Sequence, residues 1–270
     1  MPALILIRGG GDLASGVALR LYHAGLKVII SELPQPLAVR RLVSFAEAVY
    51  TGQVTVEGVT ARLIKRKRIQ ATLDAGEIPV IVDPDAFILT KLLMPIVIDS
   101  RLTKRPPARL PVDVPLHIGL GPGFHAGKDC HAVIETRRSH TLGRVYWDGA
   151  PQPDSGQPEG DPRRVLRAPV EGQLIGHVQI GAHLEEGDLI AEVQSPSDGR
   201  TSQITSPFKG VLRGLIHPGL HVTAGLKIGD VDPRDDPSLC DLVSDKALAI
   251  GGGVLEAILS KGELRASLWE

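Results

Sequence analysis

The sequence predicts an α/β chain, with a doubly wound sheet in its first half and a small all-β domain in its second. Three observations carry that expectation. Short apolar runs alternate with amphipathic ones from Ala3 to Val145, the pattern that builds a parallel sheet with helices on its faces. Between Ala168 and Val231 one segment repeats at an offset of 38 residues. A stretch rich in Pro, Gly and Asp, Ala150–Asp161, separates the two halves and reads as a linker.

Composition narrows the function classes. At 270 residues the chain has room for two modest domains. The apolar fraction of 43% supports a core, but with 3% aromatic residues that core must be built from Leu, Ile, Val and Ala. A net charge of −1, no long basic block and few stacking rings argue against nucleic acid. Cys130 and Cys240 make neither a disulfide framework nor a zinc spacing. Ala3–Ile7 is too short for a signal peptide, and no run approaches membrane-spanning length. The expectation is a cytoplasmic protein with no membrane partner.

Ala3–Ile7 reads as a strand buried on both faces. Arg8-Gly9-Gly10-Gly11-Asp12-Leu13-Ala14-Ser15-Gly16 follows, then an amphipathic helix that stops at Gly25. Strand, glycine turn and helix make a phosphate site, because glycine admits close backbone approach and the helix start offers N–H groups and a positive dipole end. Gly9-x-Gly11-x-x-Ala14 fits the Rossmann dinucleotide fingerprint with alanine last. Lys27–Ser31 is a second strand ending at Glu32, 23 positions beyond Gly9, about where such a unit places the acid that bonds a ribose hydroxyl. Asp12 sits at the expected N-cap, and a capping carboxylate there would take the N–H groups a phosphate needs. Arg8, Arg40 and Arg41 are positioned to offset that charge. The latter two, on an expected helix Pro36–Phe45, would grip a 2′-phosphate or simply solvate the helix.

Val54–Ile64 alternates and turns like a hairpin. Lys65-Arg66-Lys67-Arg68 reads as a solvated helix start rather than a binding patch. Ile78–Val82 is a strand ending in Asp83-Pro84-Asp85, and a helix Ala86–Leu93 is expected next. Ile96–Ile98 follows, ending in Asp99-Ser100-Arg101. Beyond a Pro-rich link, Leu116–Leu120 runs into a second glycine loop, Gly121-Pro122-Gly123, and Ala132–Thr136 is a further strand. Ligands of such sheets bind beyond the carboxyl ends of the strands, and all the suggestive residues fall on that edge. His125, Cys130, His131 and His140 lack metal-ligand spacing, so no metal site is expected.

The repeat aligns Ala168–Val193 on Ser206–Val231. Matching pairs include Pro169/Pro207, Gly172/Gly210, Leu174/Leu212, Gly181/Gly219, His183/His221 and Gly187/Gly225. Neither copy can bury an apolar face alone, so the two must pack as a two-fold β structure. It resembles the biotinyl/lipoyl-type barrel-sandwich hybrid. Those carriers present a modified lysine on the hairpin between their halves, whereas Gln194–Thr201 here contains none, which argues against a swinging arm. The tail Ser244–Leu259 holds a second triplet, Gly251-Gly252-Gly253. It reads either as strand, loop and helix, half of a second phosphate cradle, or as one helix capped by Ser244. The expected domains are 1–150 completed by 240–270, a linker at 151–165, and the β domain at 166–232.

Several stretches together resemble one family: Ile7–Gly16, Ser31–Pro36, Gly119–Phe124, Val133–Thr136, His140–Val145 and Ser244–Leu259. It is the YqeB-type accessory protein family of the selenium-dependent molybdenum hydroxylase system. The resemblance implies a maturation factor with a Rossmann-like domain distantly similar to XdhC proteins, and a molybdenum hydroxylase as client. The expected ligand is NAD(P) or a molybdopterin-type dinucleotide. Gly9, Gly10, Gly11 and Asp12 would meet phosphate, Glu32 the ribose, and Arg101, Gly121, Gly251 and Gly252 the remainder. Two rivals stand beside this. One is an NAD(P)-dependent oxidoreductase with Asp83, Asp99 or His125 as acid/base. The other is a non-catalytic interaction module. Either way a homo-oligomer is allowed.

Overall fold

A computed structural model describes residues 2–156, 160–196 and 199–269. It divides into two units. The first comprises Met1–Pro36, Ser44–Asp154 and Val243–Glu270, the second Leu37–Val43 and Ser155–Leu242. The chain is mixed α/β, and no described helix is long and apolar enough to cross a membrane.

In the first unit β1 (Leu4–Arg8) leads into α1 (Asp12–His23) and β2 (Lys27–Glu32). A short α2 (Ala48–Thr51) precedes the hairpin β3 (Gln53–Val56) and β4 (Val59–Leu63). Then come α3 (Ile69–Asp74), β5 (Ile78–Val82), β6 (Ile96–Asp99), β7 (Leu116–Leu120), β8 (Ala132–Ile134) and β9 (Val145–Tyr146). The nine strands form one sheet in the order β3-β4-β5-β2-β1-β6-β7-β8-β9. From β4 to β8 neighbours run parallel, and the edge strands β3 and β9 pair antiparallel. Apart from Lys27, the polar residues toward the ends of β1, β2 and β6, and His117 in β7, the central strands are apolar because both their faces are covered. Strand order reverses at β1, since β2 and β5 build outward on one side and β6, β7 and β8 on the other.

In α1, Leu13, Ala14, Val17, Ala18 and Leu21 are buried, a helical stripe facing the core. The helix packs on a long C-terminal one, Asp245–Leu259, whose Ser244 hydroxyl accepts the Ala247 N–H at 3.2 Å. The tail is therefore a single helix capped by Ser244, the second of the two readings the sequence left open, and no strand and loop precede it within Ser244–Leu259. Its glycines answer to packing. A Cβ on Gly253 would lie 2.0 Å from the Gly143 carbonyl oxygen, and one on Gly251 would lie 2.9 Å from the Gly16 oxygen. Two expected helices are absent. Ala86–Leu93 holds only a 3-10 turn at Phe87–Thr90, and Pro36–Phe45 only a 3-10 turn at Arg41–Val43 with the start of a second at Phe45.

The second unit contains β10 (Val165–Arg167), β11 (Gly172–Gly176), β12 (His183–Leu184) and β13 (Leu189–Gln194). Their counterparts 38 residues on are β14 (Thr201–Thr205), β15 (Gly210–Leu215), β16 (His221–Val222) and β17 (Lys227–Asp232). Two antiparallel sheets result, β10-β17-β15-β12 and β14-β13-β11-β16. Exchanging the two copies maps one sheet onto the other, and each sheet draws strands from both. The repeated glycines follow from this. Gly172 and Gly210 sit where a Cβ would strike the Gln194 and Asp232 oxygens at 2.1 and 2.4 Å. Arg40 and Arg41 also belong to this unit. Arg40 donates to the Leu239 and Leu242 carbonyls, and Arg41 to that of Leu215, so both work as chain ties and not on a helix. His183 pairs with Asp235 and His221 with Glu171. Among the described residues no cluster fit for a metal occurs. The central residues of the 194–201 hairpin, Ser197 and Asp198, lie outside the described residues, as do 157–159 of the expected linker.

Candidate functional site

The site is built at the end of β1, where the strand order reverses. Gly9 donates its N–H to the Ser31 carbonyl at 2.8 Å and then turns the chain at φ +89°, a region that glycine enters without strain. Gly10 is closed off by protein. Its carbonyl accepts the Ala46 N–H at 2.8 Å, and a Cβ there would stand 2.9 Å from the Ala46 nitrogen. Ser15 fastens this lid by donating to the Gly11 carbonyl at 3.0 Å and accepting the Phe45 N–H at 2.8 Å. Gly11 differs from both. It is the N-cap of α1, has ordinary extended backbone (φ −65°, ψ −178°), and a Cβ on it would meet nothing within 4 Å. Open space therefore lies in front of Gly11 at a helix start, where N–H groups lack intrahelical partners. Asp12 is the first residue of the helix, not its N-cap as expected.

Glu32, at the end of β2, is brought onto this turn. Its Oε2 accepts the Gly10 N–H at 2.6 Å and its Oε1 the Leu33 N–H at 2.7 Å. Burial raises its carboxyl above the ordinary range, while the two N–H groups pull it back. Each oxygen retains a second acceptor site.

On the other side of the turn stands a charged triad. Parallel register places Arg8 opposite Asp99, and Asp99 opposite Gly119, so one sheet face gathers these positions. Asp99 is fully buried and Arg8 nearly so. Arg8 Nη1 meets Asp99 Oδ2 at 3.1 Å, and Arg8 Nη2 donates to the Pro84 carbonyl at 3.1 Å. Arg101 clasps the same carboxylate with Nε and Nη2, at 2.8 and 2.7 Å. Burial lowers the Arg8 guanidinium, opposed by Asp99. A Cβ on Gly9 would rest 3.6 Å from Arg101, so the triad underlies the turn.

His117, two residues before Gly119, shares this face and was not foreseen. It is buried, its ring stacked edge-on to Phe124 with centroids 6.1 Å apart. Its imidazole is pushed down to about 4, first by burial and then by the Arg8, His131 and Arg101 charges, against Asp99. It is neutral near pH 7. The one signal for it in the sequence was a polar residue inside the apolar run Leu116–Leu120.

The other expected residues have local duties. Asp83 caps the 3-10 turn, its Oδ1 accepting the Phe87 N–H at 2.9 Å and its Oδ2 that of Ile88 at 2.8 Å. His125 has its Nδ1 2.8 Å from the Ala126 carbonyl oxygen. Gly121 turns at φ +86° beside Thr136. Gly251 and Gly252 lie mid-helix, away from any turn. Past the ends of β4 and β5 is a cavity of about 660 Å³, floored by Leu63, Ile64, Ile81, Val82, Phe87 and Ile88. Lys65, Arg66 and Lys91 stand at it with Asp83. It adjoins the turn through Glu32, whose carbonyl accepts the Asp83 N–H at 3.0 Å.

No protein-family model matches the chain. Solved structures with low likeness include an aspartoacylase family protein from Mesorhizobium loti, with a TM-score of 0.29 at 8% identity over 85% of this chain and 84% of that one. A succinylglutamate desuccinylase/aspartoacylase from Rhodobacter sphaeroides scores 0.29 at 14% identity, over 85% of each chain. Scores this low do not amount to a shared fold. Sequence is more informative. Over 261 residues the chain is 48% identical to the uncharacterized protein YqeB of Escherichia coli K12. That match takes in 95% of this chain but 47% of YqeB, so the chain spans about half the length of its relative. Identity of 48% sustained along nearly the whole chain supports the YqeB family for this protein.

Proposed function

We propose that the first unit is a Rossmann-like nucleotide-binding domain and that the protein serves as an accessory factor in the maturation of a molybdenum hydroxylase. The observation that carries the binding half is the open space before Gly11, at a helix start, where the strand order reverses. The order β5-β2-β1-β6-β7-β8 supports it, being that of six-stranded dinucleotide folds, whose ligands lie at this reversal. The client rests on the family resemblance alone. For the second unit, two sheets that share strands from both repeat copies support a barrel-sandwich hybrid without its lysine.

The residues fit a dinucleotide, either NAD(P) or a molybdopterin form carried as cargo. Gly11 and the first turn of α1 would hold the pyrophosphate, and Glu32 a ribose hydroxyl through its spare acceptor sites. The apolar cavity beyond β5 would take a base, and Arg101, less buried than Arg8, a further anionic group. A bound nicotinamide would supply hydride chemistry. Asp83 and Asp99 are each committed to N–H groups or guanidinium, which favours binding over acid–base work here.

Gly11→Val tests the reading. The backbone there is ordinary extended chain and an added Cβ meets nothing within 4 Å, so the fold should persist while the phosphate space is filled. Titration with NAD⁺, NADP⁺, ATP and CTP should raise the melting temperature of the parent with at least one of them. The variant gives up a favoured N-cap glycine, so it should stay folded at a somewhat lower melting temperature and lose the shift. A folded parent that responds to none, or a variant that responds equally, overturns the assignment.

A further inference from the structure

The opposite end of the sheet holds a second cavity that the nucleotide reading does not use. It lies where the strands begin, against Leu4 of β1, Lys27 of β2 and Pro95 just before β6, and measures about 670 Å³. That is within the range of small-molecule sites, about 300–1,000 Å³. Ile69 and Leu73 of α3, with Leu92 and Leu93, complete an apolar lining. Leu93 is 89% exposed at this cavity, a large apolar side chain that an apolar occupant would cover.

The charges around it are of one sign. Lys27, Arg66 and Lys67 line it, and among the described residues no Asp or Glu does. Arg66 and Lys67 come from the run Lys65–Arg68, which the sequence presents as a solvated helix start. All four of those residues are exposed, and the run passes into α3. Two of its members, Arg66 and Lys67, nonetheless border the apolar cavity. Its placement gives the cavity an apolar body and a cationic edge, which matches a ligand of the converse design.

We propose that this cavity binds an apolar monoanion, an aliphatic or aryl chain ending in a carboxylate, with the chain against Leu4, Leu73, Leu92 and Leu93 and the acid group facing Arg66, Lys67 and Lys27. The apolar part of the site lies toward the strand starts, away from Gly9, and its cationic edge shares Arg66 with the cavity past β4 and β5.

Calorimetric titration with decanoate, decanol and decyltrimethylammonium tests this on the full chain. Decanoate should bind saturably at one site, at least tenfold more tightly than the alcohol, and the cation should not bind. Arg66→Glu with Lys67→Glu changes only exposed side chains and should weaken decanoate at least tenfold while leaving decanol unchanged. Leu93→Ser should weaken both. Equal binding of all three probes would mean unselective apolar surface and would overturn the proposal. So would decanoate affinity that survives charge reversal, or no binding by a folded protein. Self-association in sedimentation that Leu93→Ser abolishes would show the occupant to be a second copy and likewise overturn it.

Discussion

Asp99→Asn is the sharpest perturbation of the ground beneath the glycine turn. The carboxylate is fully buried and receives three guanidinium bonds, at 3.1 Å from Arg8 and at 2.8 and 2.7 Å from Arg101. Asparagine keeps the shape but removes the charge and turns a donor toward a donor. Arg101, 29% exposed at its side chain, can recover water, and its share is discounted accordingly. Arg8 cannot, at 5%. Removing one partner of a buried pair costs about 3–5 kcal/mol, because the other charge is stranded, and nearly all of that falls on Arg8. With a urea slope of about 2 kcal/mol per molar, the midpoint should drop by roughly 1.5–2.5 M. The assay is convenient, since both tryptophans, Trp147 and Trp269, lie in the first unit and their fluorescence reports it alone. Replacing both partners, Arg8→Met with Asp99→Leu, should recover most of the loss, as apolar substitutes for a buried pair commonly do. A loss below about 1 kcal/mol for Asp99→Asn would refute the premise of a desolvated Arg8, as would a double variant no better than the single.

Other tests bear on separate parts of the molecule. Burial holds His117 neutral down to about 4, against 6.5 in an unfolded chain. The unfolded state therefore binds the proton first, stability is full above about pH 6.5, and it declines toward pH 4 by about 3 kcal/mol at most. His117→Phe should flatten that slope in pH-resolved denaturation, and an unchanged slope would assign it to other groups. The glycines of the C-terminal helix should differ in sign. Gly252→Ala enters open space and should stabilise by about 0.5–1 kcal/mol. Gly253→Ala meets the Gly143 oxygen and should destabilise by about 1–3 kcal/mol or more, both read as melting shifts. Cys130 and Cys240 are buried, and burial pushes the Cys130 thiol up to about 12. A disulfide reagent at pH 8 should find neither thiol in the native protein and both in guanidinium.

Much of the architecture was legible because it rests on periodicity and covalent repetition. Buried strands such as Ile78–Val82 announce themselves as apolar runs, and a 38-residue offset survives any misreading of a single turn. What failed was local. The Ala86–Leu93 stretch carries helical composition, but Asp83 closes a 3-10 turn over Phe87 and Ile88, and the chain goes no further as helix. The Pro36–Phe45 stretch departs because Arg40 and Arg41 donate to backbone carbonyls of the second unit. Such carbonyls, supplied by residues some 200 positions away for Arg40, leave no trace in a local window.

The two glycine triplets show where sequence reading stops. Gly9–Gly11 and Gly251–Gly253 are identical in composition, and each invites a phosphate. In the first, a positive φ at Gly9 ends the strand and only Gly11 faces open space. In the second, all three are helical, and Gly251 and Gly253 are tiny because Gly16 and Gly143 press against them. One triplet leaves open space in front of Gly11, and the other lets the chain touch itself. The distinction lies in what occupies the position of the missing Cβ, which depends on the fold around each triplet. For the same reason Gly11, rather than Gly9 or Gly10, is the residue whose enlargement separates ligand binding from folding.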